Sequence, residues 1–334
     1  MLLCISAEHH SHRKPIKNYP NEPISMSDDK EFDIFIHHVL IGELYYDLSY
    51  DSAKEDKTAV VVCQLYDENT NYPDLTSVII PPYVTYDGET YRVVSVESYA
   101  FANCNYLTSV VFPDTVTQIE AYAFWFCHAL NAIVIPNSVI QIGNSAFAFC
   151  ESLTAIDIPD SVTRIGDRAF EDSYISAITF PDSITELGNS VFHDTLNPIY
   201  NKHIFAKLPP SYRGKYIIPD GIKIIAGSAF HHCANVPFSV VLPQTISHIG
   251  DETFYNCQSL TSLTCKAIVP PTLGTDVFRF VDTTIPVYVP AESVELYKAA
   301  PQWKKFRNIQ PISKTSLKID CQITMQPKLA EFKE

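Results

Sequence analysis

Residues 107–127 read LTSVVFPDTVTQIEAYAFWFC, and residues 129–150 read ALNAIVIPNSVIQIGNSAFAFC. Laid over each other, the two stretches match at a spacing of 23 residues. Self-similarity at a fixed period of this size is the sequence signature of a solenoid, in which stacked repeats share one core. Three residue types keep the period: Phe101, Phe124, Phe147 and Phe170; Pro113, Pro136 and Pro159; Cys104, Cys127 and Cys150.

Within each repeat, the residue pattern predicts two short strands and a turn. The apolar positions of the first strand are typified by Leu130, Ile133 and Ile135, and a proline then ends the strand because it cannot donate to the ladder. A second apolar pair follows, such as Val139 and Ile142. Glycines come next and suit a tight bend with permissive φ, and Ala-Phe then fills the interior before Cys closes the turn. These glycines are Gly143, Gly166, Gly188 and Gly250, with Glu120 and Ala226 in the same place of two other units.

Composition narrows the class of protein. The chain has 334 residues, 46% of them hydrophobic and 19% charged, with a net charge of −14. This balance is typical of a globular protein and makes nucleic acid an unlikely partner, since the only basic run is Lys304 to Arg307. No apolar run reaches about 18 residues, so the sequence predicts no membrane span.

The first residues, MLLCISAEHHSHRK, lack the charged n-region of a signal peptide. Either the protein stays inside the cell or an export signal precedes this start; Leu-Leu-Cys could also be the remnant of a lipoprotein signal.

Outside the repeats, the pattern changes at both ends. Tyr83 to Tyr86 and Thr90 to Val94 flank Asp87-Gly88, a strong hairpin signal in a β-rich segment that should cap the first rung. Near the other end, Thr284 to Val289 predicts a strand and Ser293 to Ala300 a short helix. The interval between Phe192 and Phe230 is 38 residues, which indicates either a shortened extra unit around Phe205 or a local bulge. The predicted organisation is a flexible arm at 1–30, a β-rich N-terminal cap at 31–93, the solenoid at 94–265, a C-terminal strand–helix cap at 266–312 and a flexible tail at 313–334.

The repeat resembles the BspA-type leucine-rich repeat, also called the Treponema pallidum type. The likeness covers about half of the chain, and its end, PTLGTDVFRFVDTTIPVYVPAESVELYKAAPQWKKFRNIQPI, is similar to C-terminal caps of such proteins from gut Bacteroides. The departures are Ser173 and Thr195 in place of Cys, Glu120 in place of Gly, and the 38-residue interval. The resemblance implies a β-rich leucine-rich-repeat solenoid of the α+β class. It also implies a surface or secreted interaction protein, in some members an adhesin for host matrix or other bacteria.

Candidate binding residues lie in the outward column of the first strand. Small residues such as Ala132 and Ala155 share this face and leave it smooth. An exposed apolar column indicates a partner, although β-propensity alone would also place apolar residues there. A protein or glycan ligand is the predicted partner, and a passive spacer of the cell surface is the alternative. The column comprises Val111, Val134, Asp157, Thr179, Ile217 and Val241.

Other reactive residue types have structural interpretations. The recurring cysteines predict a buried ladder, because side chains in one parallel column meet poorly for disulfides. Hydroxyls at the position of Ser138 are expected to bond the turn backbone.

Carboxylates on neighbouring rungs do not predict a catalytic pair. A glycosidase with paired carboxylates would need two of them to face each other across a cleft. In a stack of rungs they should instead lie side by side on a flat face; they are Asp157, Asp160, Asp182 and Glu186. His9, His10 and His12 could bind a metal, but a polar arm explains them as well. We therefore expect no catalytic site, no metal and no cofactor. Aromatic residues on the turns should either pack against adjacent turns or form an exposed edge that binds a protein or glycan. They are Trp125, Phe126, Phe149 and Tyr255.

Overall fold

The computed structural model describes residues 34–51, 54–63, 72, 74–192, 197–231, 233 and 237–313. The predicted arm with its histidines, most of the predicted tail and Thr195 lie outside the described residues. The chain forms a β-solenoid of about nine turns, with rungs about 23 residues apart. This confirms the predicted leucine-rich-repeat solenoid, in which strands dominate and the described residues contain one short α-helix.

The N-terminal segment is β-rich, as predicted. Strands β1 (Ile34–Ile41), β2 (Leu44–Asp51) and β3 (Asp56–Val62) form an antiparallel meander, and β3 then pairs in parallel with β6 (Glu89–Val96). Strand β5 (Tyr83–Tyr86) pairs antiparallel with β6, and Asp87 and Gly88 between them both have positive φ. The predicted Asp-Gly hairpin is therefore confirmed.

The first strand of each rung lies in register with its neighbours and forms what we call the first strand row. The row is divided into three parallel sheets. Hydrogen-bonded strands extend on both sides of the predicted solenoid range. The strands of this row are β4 (Ser77–Ile79), β7 (Ser109–Val111) and β9 (Ala132–Val134); then β11 (Ala155–Asp157) and β13 (Ala177–Thr179); then β17 (Gly214–Ile217), β19 (Phe238–Leu242), β21 (Leu260–Cys265), β23 (Val287–Val289) and β24 (Ile309–Pro311).

A second strand row, of mostly two-residue strands, follows the first within each rung. Its parallel pairs keep the same register, so that Ile119, Ile142 and Ile165 lie side by side and buried. Alternation along each strand turns the residue before each isoleucine outward. Its strands after β6 are β8 (Gln118–Ile119), β10 (Gln141–Ile142), β12 (Arg164–Ile165) and β14 (Glu186–Leu187), and then β15 (Ile199–Tyr200), β16 (Ile204–Lys207), β18 (Ile224–Ile225), β20 (His248–Ile249) and β22 (Thr272–Leu273).

The repeated phenylalanines form stacks in the interior. Adjacent rings from Phe101 to Phe192 are nearly parallel, with centroids 5.1 to 5.6 Å apart. A second stack begins at Phe205 and continues through Phe230 and Phe254 to Phe278. All eight periodic phenylalanines and Phe205 are buried. Because each ring covers the next, no rung has to bury its apolar residues alone.

The 38-residue interval contains a shortened rung. Strand β15 pairs antiparallel with β16, and β16 joins the second strand row by pairing with β18. The inserted rung supplies Phe205 to the core but lacks the long turn of the repeat, so the turn at Ser190 bonds directly to the turn at Gly227. The side chain of Asn201 donates to the carbonyl oxygens of Pro181 and Ile184 and so ties the insert to the preceding rung. The shortened-unit interpretation is confirmed.

The repeat glycines form the predicted bend without positive φ, in keeping with Glu120 and Ala226 at the same position of two units. Gly143, Gly166, Gly188 and Gly250 are not among the residues with positive φ. A Cβ on Gly143 would lie 2.5 Å from the backbone nitrogen of Ala121 in the preceding rung. These glycines are therefore needed because two backbones approach closely at this bend, and not because of an unusual φ. Positive φ instead recurs two residues before each periodic phenylalanine, at Tyr99, Tyr122, Ser145, Arg168, Ser190, Ser228, Glu252 and Asp276.

Aromatic residues close both ends of the core. At the N-terminal end, Tyr72 lies 5.5 Å from Phe101 between ring centroids and is buried. At the C-terminal end, a 3₁₀ helix (Ala291–Ser293), helix α1 (Val294–Ala299) and a second 3₁₀ helix (Trp303–Lys305) cover the last rung. Trp303 and Phe306 pack against Phe278, so the predicted strand–helix cap is confirmed.

Candidate binding surfaces

The first strand row presents an exposed groove, which we call the strand groove. It has a volume of about 840 Å³. Val111 and Val134 are register partners in its wall and are 53% and 78% exposed. Asp157 and Thr179, also register partners, continue the same column. Four of the six predicted site residues are therefore brought together in one groove.

The remaining two predicted residues lie elsewhere. Ile217 is exposed, but it belongs to the later sheet of β17 and β19. The expectation that Val241 is exposed is wrong, because this residue is only 3% accessible. Val241 lies on β19 between its register partners Ile217 and Thr264. The alternation of buried and accessible residues is broken on this strand, where Val240, Val241 and Leu242 are all buried.

Sequence reasoning missed Ile79. This residue pairs with Val111 on the next strand and is 75% exposed, so it extends the apolar column by one rung. The separation between Ile79 and Val111 is 32 residues and not 23, which hides it from a search at the repeat period. The β-branched run from Leu75 to Ile80 was the available signal.

The charged side chains that line the strand groove, among the described residues, are all acidic. Asp114, Asp157 and Asp160 line it, and its lining among the described residues contains no lysine, arginine or histidine. The small residues Ala132, Ala155 and Ala177 are exposed along the same row, as predicted. The groove thus combines an apolar column with negative charge, and the exposed alanines lie on the same strands outside its lining.

The cysteine column is buried and reduced, which confirms its structural interpretation. All seven cysteines in the described residues are buried, and none of them forms a disulfide. Three thiols donate to the carbonyl oxygen of the periodic phenylalanine one rung earlier: Cys127 to Phe101, Cys150 to Phe124 and Cys257 to Phe230, at 3.1 to 3.3 Å between sulfur and oxygen. Burial raises the pKa of the Cys150 thiol to about 12, so this side chain stays neutral and is a poor nucleophile.

The hydroxyl column also supports the backbone. Ser138, Ser183 and Thr245 donate to carbonyl oxygens of the preceding rung at 2.6 to 2.9 Å. Thr115 and Ser161, at the same repeat position, have buried hydroxyls without a hydrogen-bond partner in the described part of the chain. The column is therefore structural, and its bonding is incomplete in two rungs.

The carboxylates considered for catalysis do not converge. Asp182 accepts from the backbone N–H of Lys202 at 2.9 Å, and this hydrogen bond lowers its pKa. Glu186 pairs with Arg164 on the neighbouring strand at 3.5 Å. Asp157 and Asp160 lie in the strand groove instead. In the described ranges, no three His, Cys, Asp or Glu side chains are grouped as metal ligands would be.

The turns carry a second, polar groove, which we call the turn groove. Its lining includes Asn144, Asp167, Asn189 and Asp251, each of which directly follows a bend glycine. The side-chain oxygens of three of them accept from the backbone N–H one rung further along: Asn144 from Asp167, Asp167 from Asn189, and Asp251 from Thr275. These bonds fix the turns against each other.

Aromatic residues lie beside these turns. Phe126 stacks on Phe149 with centroids 4.4 Å apart, which confirms packing between adjacent turns. Tyr99 stacks on Tyr122 at 4.8 Å, and Trp125 stands perpendicular to Tyr122. Tyr255 contacts Phe280 edge-on.

None of the helices in the described part of the chain has the length and apolar character needed to cross a bilayer. No curated protein matches the sequence. Three solved structures are similar in fold. A leucine-rich repeat protein from Bacteroides ovatus is 21% identical, with 82% of this chain and 89% of that chain covered and a TM-score of 0.42. The T. pallidum leucine-rich repeat protein is 22% identical over 70% and 85%, with a TM-score of 0.35. The pneumococcal vaccine antigen PcpA is 16% identical over 84% and 99%, with a TM-score of 0.46.

The family model of the BspA type leucine-rich repeat region matches residues 71–198 and 209–301 in six copies. The gap between the two matched ranges falls in the shortened rung, where β15 and β16 replace the regular pattern. The matched ranges cover well over half of the 334 residues. This chain belongs to the BspA-type leucine-rich repeat family.

Proposed function

We propose that this chain is a non-catalytic recognition or adhesion protein, displayed on a bacterial cell surface or secreted, and that it binds a protein ligand through the strand groove. The observation that carries the proposal is the register row Ile79, Val111 and Val134, all more than half exposed. Three large apolar side chains on neighbouring strands lose contact with water together when a partner covers them. A contiguous exposed apolar surface of this kind is typical of an interaction site.

The groove's charge defines the partner further. Asp114 and Asp160 lie beside the apolar column, and no basic side chain among the described lining residues offsets them. A matching ligand segment carries aliphatic or aromatic residues together with lysine or arginine. Attraction between opposite charges at the rim raises the association rate and weakens with salt.

The binding experiment uses surface plasmon resonance with immobilised fibronectin, fibrinogen, laminin and collagen. Val134→Glu and Val111→Glu place a charge in the apolar column and should reduce binding at least tenfold. Val269→Glu is the matched control, since Val269 is 72% exposed outside the groove. Equal binding by Val134→Glu and the parent protein contradicts the groove assignment. If none of the four proteins binds, the passive-spacer alternative is favoured over matrix adhesion.

The location is tested separately. Antibody should label intact cells of the source organism, and brief protease treatment of those cells should remove the signal. Recovery of the protein in the cytoplasmic fraction alone contradicts surface display or secretion.

A further inference from the structure

We propose that the turn groove is a second binding site, for a neutral oligosaccharide. It has a volume of about 420 Å³ and is lined by turn residues of successive rungs from Tyr122 to Thr275. None of these residues lines the strand groove. The two sites therefore use different parts of each repeat, and the turn groove does not depend on the function proposed for the strand groove.

The irregular rung interrupts the row of side chains along this groove. Because the insert lacks the long turn of the repeat, Ser190 meets Ser228 directly, with their hydroxyl oxygens 2.9 Å apart. Gly227 stands where the turns on either side carry Asn189 and Asp251, and a Cβ there would lie 1.6 Å from Oδ1 of Asn189. With that space open, the Asn189 amide reaches Asp251 at 3.2 Å. The side-chain row thus skips one turn, which leaves a recess among polar side chains.

The lining offers both donors and acceptors of hydrogen bonds. Asn144, Ser190 and Ser228 can do both, and the Arg168 guanidinium is a donor beside them. Ser145 also lines the groove, and its hydroxyl can donate and accept as well. Sugar hydroxyls also donate and accept, so they match such a mixed set.

An aromatic platform stands at one end of the groove. Tyr122 lines the groove, and the ring of Tyr99 stacks on it with an interplanar angle of 4°. Trp125 stands perpendicular to Tyr122 at 6.1 Å between centroids. Tyr99 is 46% exposed. Aromatic faces carry partial negative charge, which attracts the C–H groups on the apolar face of a pyranose ring.

The charges exclude acidic ligands. Asp167, Asp251 and Glu252 line the groove, and Arg168 is the only basic residue among its described lining residues. Phosphate, sulfated glycans and nucleic acids would meet net repulsion. Oδ1 of Asp167 and Oδ1 of Asp251 already accept backbone N–H bonds at 2.7 and 2.6 Å, and the described residues contain no group of three His, Cys, Asp or Glu that could hold a metal ion. A neutral polyhydroxylated chain fits these constraints.

The experiment titrates the full chain with cellohexaose, chitohexaose, mannohexaose and dextran, and with dextran sulfate as the acidic counterpart. Binding is followed by tryptophan fluorescence and by isothermal titration calorimetry. The chain has two tryptophans. Trp303 is 1% exposed in the C-terminal cap, so a change on adding sugar reports Trp125. We expect at least one neutral oligosaccharide to bind and dextran sulfate not to bind.

Variants locate the site. Tyr122→Ala and Arg168→Ala should each weaken binding at least tenfold, and Arg168 is more than half exposed, so its replacement leaves the fold intact even if Tyr122→Ala does not fold. Val269→Glu is the matched control, because Val269 is 72% exposed outside both grooves, and it should bind sugar as the parent does. The proposal is overturned if no neutral oligosaccharide binds, if dextran sulfate binds best, or if Arg168→Ala binds normally. Loss of binding in Val134→Glu alone would place the sugar in the strand groove and also overturn it.

Discussion

The hydroxyl of Ser173 donates to the carbonyl oxygen of Phe147 at 2.7 Å, one rung earlier in the stack. Cys150 makes the equivalent bond to Phe124 through its thiol. Ser173 is 2% exposed and also accepts the backbone N–H of Cys150. The serine that departs from the repeat pattern therefore keeps its physical role. The position selects a small side chain that donates to a buried carbonyl, and sulfur chemistry is not required.

Replacing Ser173 tests this role directly. Ser173→Cys should change the stability little, because a thiol serves at the same position in neighbouring rungs. Ser173→Ala removes the donor, leaves the Phe147 carbonyl unpaired and should lower the free energy of unfolding by about 1–3 kcal/mol. Urea unfolding followed by circular dichroism measures both changes. Equal stability of the alanine variant and the parent would show that the bond contributes nothing.

The interior phenylalanines should respond to truncation according to their place in the stack. Phe147 has a ring on each side, at 5.3 and 5.5 Å between centroids, and is fully buried. Phe147→Ala leaves a cavity between two rungs and should cost about 3–5 kcal/mol. Phe147→Leu fills most of that space and should cost clearly less. Thermal unfolding of both variants gives the comparison, and similar melting temperatures for the two would argue against a close-packed stack.

The repeat glycines are expected to tolerate no side chain where the backbones touch. A Cβ on Gly166 would lie 2.6 Å from the backbone nitrogen of Asn144, so Gly166→Ala forces two rungs apart. Gly42→Ala is the control, because its Cβ would meet nothing within 4 Å although its φ is +65°. The control should cost about 1–2 kcal/mol for its left-handed backbone alone. Gly166→Ala should cost more, as measured by urea denaturation; the reverse order would contradict the close-approach explanation.

Alkaline pH should destabilise the fold through the buried thiols. A cysteine in the unfolded chain ionises near pH 9.0, whereas burial raises the pKa of Cys150 in the folded protein to about 12. Between these values the unfolded chain has released the proton and the folded chain still holds it, so stability is full below pH 9 and falls as the pH rises. The serine hydroxyl of the Cys150→Ser variant does not ionise in this pH range. Between pH 8 and pH 10, the free energy of unfolding of this variant should therefore fall by about 1 kcal/mol less than that of the parent. Parallel pH profiles of the two proteins would refute this.

The 23-residue period was enough to predict the stacked architecture, because every rung must fill the same interior columns. Phe124, Cys127 and Ile142 lie where that period places them. The role of the glycine column was predicted only in part, since a residue pattern places a bend there but does not show that a neighbouring backbone excludes a side chain. Gly143 is explained by the distance to Ala121, which depends on how tightly two rungs stack.

The binding surfaces were less predictable for a related reason. Whether a residue of the outward column is accessible depends on its surroundings in space: Val111 and Val241 both lie between two register partners, yet Val111 is 53% exposed and Val241 3%. The turn groove depends on the contact of Ser190 with Ser228, which are 38 residues apart and adjacent because the insert lacks the long turn of the repeat. Local periodicity carries no information about either relationship.

Substitution at Val134 and Val241 separates surface from core within the same repeat position. Val134 is 78% exposed, so Val134→Glu should change the free energy of unfolding by less than about 0.5 kcal/mol. Val241 is 3% exposed, and Val241→Glu buries an unpaired carboxylate among Ile217 and Thr264, which should cost at least about 3 kcal/mol. Urea unfolding of both variants tests the pair. A large loss in Val134→Glu would mean that the strand groove supports the fold, and the binding defect expected of that variant could then no longer be assigned to recognition.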